Sequence, residues 1–285
     1  MRFIAFQNSV GKAALGVRVN TELVDISAHG LPSDLEEFLL LGEGAIEAAR
    51  RIVASSAARL PLAGLTYLPP VANPRKALAI GLNYRDHAAE SNFEPPKYPV
   101  IFSRFPSSWV GHDTPIICPK VSSQLDYEAE LVVVIGKAGR YIARDKALDH
   151  VAGYSLFNDG SIRDYQLRTP QWTLGKNFDA SGAFGPEFVT VDELPSGAKG
   201  LKLTCRLNDK VVQQANTSEM IFDVPSLISI CSEAMALHPG DIIISGTPAG
   251  VGLARTPQLW MKAGDVCEVE LEGLGILRNQ IVNET

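Results

Sequence analysis

Glu128 and Glu130 stand one residue apart, where Asp126-Tyr127-Glu128-Ala129-Glu130 runs into Leu131-Val132-Val133-Val134-Ile135. The Val/Ile-rich run predicts a buried strand ended by Gly136. Side chains at i and i+2 share a strand face, so both carboxylates point the same way, on the face that continues into Val132 and Val134. Two carboxylates at the mouth of an apolar strand repel each other and lose hydration. They then take up a proton or share a cation, unless the strand end is exposed and both acids stay solvated. A third acid shifts that balance. Asp159 closes a strand predicted over 151–158 and precedes Gly160, a loop-mouth position from which an acid reaches a site formed by neighbouring strands. Three carboxylates, with no thiolate or imidazole at an obvious ligand spacing, predict a hard divalent cation: Mg2+ or Mn2+, with Ca2+ also compatible. Three protein oxygens on an octahedral ion leave about three positions for water or substrate, an open site suited to catalysis.

Other residues offer acid–base and anion-binding chemistry. His87 and Glu90 are three apart in the polar, helix-compatible run Asn83–Glu90 and would share a helix face. A carboxylate beside an imidazole fixes its tautomer and raises its basicity, as a general base requires, although an ordinary surface pair has the same spacing. Lys176 is the one lysine in Trp172-Thr173-Leu174-Gly175-Lys176-Asn177-Phe178-Asp179. It can donate to a developing oxyanion or snorkel past Trp172, and spacing does not choose. The turn Gly246-Thr247-Pro248-Ala249-Gly250-Val251-Gly252 matches neither glycine-rich nucleotide pattern. It does offer backbone N–H groups and the Thr247 hydroxyl to a carboxylate.

The elements that must position these groups are legible in outline. Short strands are predicted over 3–6, 14–19 and 23–26. Ser33 with Glu36 forms a capping-box pattern for a short helix ended by Gly42, and a second helix is predicted over 43–59, stopped by Pro61. Pro61, Pro69, Pro70 and Pro74 then punctuate the chain, which places a boundary between a small N-terminal domain, residues 1–70, and a catalytic domain, residues 71–285. The second part opens with a strand over 76–80. The Asn92–Pro99 segment reads as a proline-broken connector suited to a lid hinge. A hairpin over 201–213 turns at Asn208-Asp209, and Asp223 caps a helix with Pro225 in its first turn. Strands are predicted over 241–245, 266–271 and 276–282.

Composition limits the class of protein. The 285 residues are 46% hydrophobic, enough for a substantial core, and the net charge is -6 with no basic cluster. That argues against nucleic acid or an anionic membrane as partner. No apolar run approaches the roughly 20 residues needed to span a bilayer, and no signal-peptide pattern opens the chain. Cys118, Cys205, Cys231 and Cys267 are widely spaced, as expected of reduced thiols in a cytoplasmic protein.

Five ordered blocks together resemble the fumarylacetoacetate hydrolase family over roughly residues 70–285. They are Gly81-Leu82-Asn83-Tyr84 with His87 and Glu90; Asp126-Tyr127-Glu128-x-Glu130-Leu131; Gly153-Tyr154 through Asn158-Asp159 with Arg163-Asp164; Gly175-Lys176-x-Phe178-Asp179; and Gly246-Thr247-Pro248-x-Gly250-Val251-Gly252. The resemblance implies an α+β, mostly β fold: a mixed β-sandwich roll with a small N-terminal α/β domain. It implies Mg2+ or Mn2+ on Glu128, Glu130 and Asp159, and keto-acid binding by Lys176, Gln166 and Thr247. It also implies a water-activating His87–Glu90 dyad on a lid, and a homodimer. One departure concerns specificity. Ser103-Arg104-Phe105-Pro106 stands where many members have lysine then proline, and arginine can clamp a carboxylate bidentately. Arg104 and, on the lid, Arg85 are therefore expected among the substrate-binding residues.

The leading expectation is hydrolytic C–C cleavage of an acylpyruvate-like 1,3-diketo acid. The base pair favours it, because a positioned base is needed most when water attacks. Decarboxylation of oxaloacetate, or isomerisation of an unsaturated 2-keto diacid such as 2-hydroxyhepta-2,4-diene-1,7-dioate, uses the same cation and lysine. A non-catalytic keto-acid-binding protein is the reading from a different class.

Overall fold

The computed structural model describes residues 1–55, 58–90, 94 and 96–285. Among them, twelve strands form one mixed sheet. From one edge its main path runs Leu60–Pro61, Glu22–Asp25, Ala13–Val19, Arg2–Gln7, Gly182–Thr190, Val151–Asn158, Ala129–Ile135, Ile242–Ile244, Ala77–Gly81 and Val100–Ser103. A second sheet of five strands runs Lys210–Asn216, Lys202–Leu207, Val266–Leu271, Gly275–Asn283 and Ile116–Cys118. The architecture is the mostly β, mixed-sheet fold expected, with three parallel pairings, Ile242–Ile244 on Ala77–Gly81, Gly182–Thr190 on Trp109–Val110, and Gly275–Asn283 on Ile116–Cys118, among largely antiparallel neighbours.

The strand Ala129–Ile135 is buried along its whole length, which explains why it reads as a continuous apolar run without alternation. Leu131, Val133 and Ile135 pack into one core, together with the five-stranded sheet and the helix Val224–Ala234. Val132 and Val134 pack into another, with Phe157, Phe184 and Phe188. Each buried valine contributes about 1.5 kcal/mol or more, so the strand that carries the acids is strongly anchored.

The first seventy residues are not packed apart from the rest. Arg2 and Phe3 pair with Val189 and Phe188, and Phe3 and Phe38 share the core that holds Val132 and Phe157. The expected capping box also differs. Asp34, not Ser33, caps the helix Leu35–Leu40 by accepting from the Glu36 and Glu37 N–H groups. The following helix ends at Ala54. The hairpin turns where expected, with Asn208 and Asp209 at φ of 50° and 64°. Asn92, Phe93 and Pro95 of the Asn92–Pro99 connector, read from sequence as a lid hinge, lie outside the described residues. No described helix is long and apolar enough to cross a membrane.

Candidate active site

Strand register assembles the acids. Ala129 pairs with Asn158 and Glu130 with Phe157. One step further Asp159 falls opposite Glu128, and the Asp159 N–H donates to the Glu128 carbonyl at 2.8 Å. Opposite residues in an antiparallel pair face the same way, so two turns of chain 31 positions apart deliver their carboxylates to one spot. One carboxylate oxygen from each of Glu128, Glu130 and Asp159 lies within 4.8 Å of the others, and all three residues are buried.

Cations surround this trio unequally. Lys176, on the short helix Thr173–Lys176, places Nζ 2.5 Å from Glu128 Oε2 and 2.6 Å from Asp159 Oδ2. Arg163 approaches Glu128 Oε1 at 2.7 Å, and Arg104 bonds Asp159 Oδ1 at 2.5 Å. Burial alone would raise the Glu128 carboxyl, but Lys176 and Arg163 outweigh it and hold it well below the usual range. Glu130 has the opposite fate. Among the described residues its one hydrogen bond comes from the Gly246 N–H, and burial, then the charges of Asp159 and Glu128, push its carboxyl well above the usual value. Among the described residues no Lys, Arg or His forms an ion pair with Glu130. A buried carboxylate beside two others, with no cation of its own, fits a hard divalent ion held by Glu128, Glu130 and Asp159.

The helix Arg85–Glu90 carries the base. His87 is buried, and its Nδ1 lies 2.9 Å from Glu90 Oε1. The Glu90 carboxylate in turn accepts the Gly250 N–H at 3.0 and 2.9 Å. Gly250 has a φ of 104° and its Cβ would meet the Val212 carbonyl at 2.2 Å, so only glycine presents that N–H here. With Nδ1–H donated to Glu90, the lone pair sits on Nε2. His87 and the trio line the same cavity of about 460 Å³.

The expected substrate-binding residues divide. Gln166 lines the cavity, and its Oε1 accepts from Arg163 Nη1 at 2.8 Å, which leaves the amide nitrogen for a ligand. Thr247 also lines it, but its hydroxyl is directed inward: it donates to the Ala129 carbonyl at 3.0 Å and accepts from Gln213 Nε2 at 2.8 Å. Arg104 is not a substrate clamp. Its side chain is 0% exposed and every donor group is committed, to Asp159, the Gly160 carbonyl, and the Ser108 hydroxyl and carbonyl. It braces an acid of the trio from behind. Arg85 is exposed and does not line the cavity.

Two braces were not singled out from sequence. Asp126 is fully buried and accepts from Arg163 Nε at 2.8 Å, from the Gly252 N–H at 2.7 Å and from the Leu253 N–H at 3.0 Å, so it ties the glycine-rich turn to the acidic strand. Gln213 joins the Ala129 N–H to Thr247 and the Pro248 carbonyl. Both act on backbone groups, which leave no signature of residue type. The position of Asp126 inside the acidic block was the one available signal.

The sequence profile of the fumarylacetoacetate (FAA) hydrolase C-terminal domain matches residues 76–282. The chain belongs to the fumarylacetoacetate hydrolase family. It is 40% identical to the mitochondrial oxaloacetate tautomerase of Xenopus laevis, over 99% of this chain and 90% of that protein. Among solved structures it resembles the fumarylacetoacetate hydrolase of psychrophilic Exiguobacterium antarcticum at 34% identity and a TM-score of 0.87, with both chains fully covered. It also resembles the maleylpyruvate hydrolase of Sphingobium sp. SYK-6, solved with manganese (II) ion and pyruvate, at 28% identity and a TM-score of 0.84, again over the whole of both chains. These relatives are tautomerases as well as hydrolases, so membership makes the chain a family enzyme without making it a C–C hydrolase.

Proposed function

We propose that the chain catalyses keto–enol tautomerisation of a 2-keto acid, with oxaloacetate the first substrate to assay and Mg2+ or Mn2+ as cofactor. The observation that carries this reading is the single oriented base, His87 on Glu90, sharing one cavity with Lys176 and the acidic trio. Tautomerisation needs one proton moved between the carbon beside the carbonyl and the carbonyl oxygen, and nothing else. A divalent ion on Glu128, Glu130 and Asp159, when bound, would supply Lewis-acid stabilisation of negative charge on the keto acid.

The side chains supply the rest. His87 Nε2 takes the proton from C3, while Glu90 holds the ring and stabilises the imidazolium. Lys176 donates to the carbonyl oxygen as charge collects there, and the Gln166 amide orients the acid. In the reverse direction the same groups exchange roles. The 40% identity to an oxaloacetate tautomerase favours this reading over the hydrolytic one expected from sequence.

Hydrolysis of an acylpyruvate stands as a second reading, because the His87–Glu90 pair would equally take a proton from an attacking water. One assay separates them. Decay of enol oxaloacetate is followed by its ultraviolet absorbance with Mg2+ or Mn2+ present, beside cleavage of a panel of acylpyruvates. The proposal expects the larger kcat/KM on oxaloacetate with no release of carbon dioxide. Faster acylpyruvate cleavage contradicts it, and stoichiometric carbon dioxide would make the enzyme a decarboxylase.

A further inference from the structure

Proton transfer fixes the reacting end of the substrate, and the remaining cavity wall bears on its tail. The polar lining is buried: Glu128, Glu130, Asp159, Arg163, Gln166 and Lys176 are each 5% exposed or less. The part-exposed lining is apolar apart from Glu90. Phe102 and Trp172 meet edge to face, centroids 5.4 Å apart at 68°, and Lys176 Nζ lies 5.1 Å from the Phe102 centroid. The pair therefore forms an aromatic wall leading outward from the acidic floor. Gly81 makes room for it, since a Cβ there would come within 2.4 Å of the Trp172 ring. Leu82, also on the lining, holds a left-handed φ of 57°, which costs a residue bearing a Cβ about 1 kcal/mol or more. Leu167, 62% exposed, and Leu253 extend the apolar rim.

A second carboxylate would find little here. The cations on the lining lie at the buried floor, Arg163 bonded to Asp126 and Gln166 with its Nη2 2.7 Å from Glu128, and Lys176 held by Glu128 and Asp159, so none reaches the rim. Among the described residues the one charged group at the rim is Glu90, an acid. A carboxylate moved from water against an apolar wall beside another acid is penalised, whereas an aryl ring gains burial and an edge-to-face partner. The cavity, about 460 Å³, is also larger than a four-carbon diacid requires.

We propose that the outer half of the cavity selects a flat apolar tail, so that the substrates are arylpyruvate-type 2-keto acids, with phenylpyruvate as the probe. This rests on the tautomerase reading. The reaction is an isomerisation: the C3–H bond breaks, an O–H bond forms on the C2 oxygen, and no co-reactant is consumed.

Ketonisation of enol phenylpyruvate and of enol oxaloacetate is measured above the buffer rate with Mg2+ or Mn2+, on the wild-type chain, Trp172→Ala and Leu167→Arg. The wild type should show a kcat/KM at least about tenfold higher on phenylpyruvate. Trp172→Ala should lose most of that advantage through KM. Leu167→Arg, at an exposed site where folding is not at risk, should lower the phenylpyruvate-to-oxaloacetate ratio about tenfold or more by receiving the second carboxylate. Turnover of oxaloacetate with phenylpyruvate equal or poorer, or a ratio that Leu167→Arg leaves unchanged, overturns the tail assignment and leaves the tautomerase reading standing. Turnover of neither substrate removes the tautomerase reading and the tail assignment with it.

Discussion

Glu130 accepts the Gly246 N–H at 2.5 Å and meets no cationic side chain among the described residues, although it lies beside Glu128 and Asp159, which share Lys176. The imbalance organises the site. Two acids are neutralised by the protein and the third is left to a proton or to an ion from solution.

Glu130→Gln should weaken Mn2+ or Mg2+ binding by about a hundredfold or more, while the metal-free protein melts no lower than wild type. The amide keeps the Gly246 hydrogen bond and, unlike the carboxyl, cannot ionise in the buried site. Calorimetric titration and thermal melts read the two effects separately. A variant that binds metal like wild type would take Glu130 out of the ligand set.

Proton release follows from the same group. The folded, metal-free protein keeps a proton on Glu130 above the ordinary glutamate range, because its carboxyl is pushed up by burial and by Asp159 and Glu128. A metal needs the carboxylate, so binding expels that proton between the ordinary value and the raised one. The stability of the metal-free protein should fall as pH rises through that window, since there the folded state binds more protons than the unfolded one. Titrations at about pH 6 in two buffers of different ionisation enthalpy should report proton release, and Glu130→Gln should abolish it. Equal heats in both buffers would contradict the assignment.

Arg104 was the instructive misreading. Its place after the strand Val100–Ser103 suggested a substrate clamp, yet it lies folded beneath Asp159. Arg104→Met should destabilise the chain by about 3–5 kcal/mol, because it strands one carboxylate oxygen and the Gly160 carbonyl. Urea denaturation measures this. A loss under about 1 kcal/mol with a large rise in KM would restore the clamp.

His87→Ala should lower kcat by about a hundredfold or more with little change in KM, and Glu90→Gln by a smaller factor, because Glu90 holds the ring without touching the transferred proton. Steady-state kinetics on the best keto acid checks both. Equal losses in the two variants would indicate that the helix Arg85–Glu90 had lost its seat on Gly250.

What was legible and what was not have a common cause. The i, i+2 acids and the i, i+3 base pair are fixed by strand and helix geometry, so residue type and spacing marked Glu128, Glu130, His87 and Glu90 as candidates. Asp159 could be found because it ends a strand. Which strand neighbours which is a long-range matter: that the N-terminal strand Arg2–Gln7 joins Gly182–Thr190 has no local signal. Long-range contact likewise decided Arg104, Asp126 and the inward-turned Thr247, whose partners lie far along the chain.

The most direct test of the metal site is anomalous diffraction from crystals of the protein soaked in Mn2+. The account predicts a peak about 2.0–2.2 Å from oxygens of Glu128, Glu130 and Asp159, with Lys176 displaced toward the remaining coordination face. No peak there at millimolar Mn2+, in crystals of protein whose turnover survives EDTA unchanged, would contradict it.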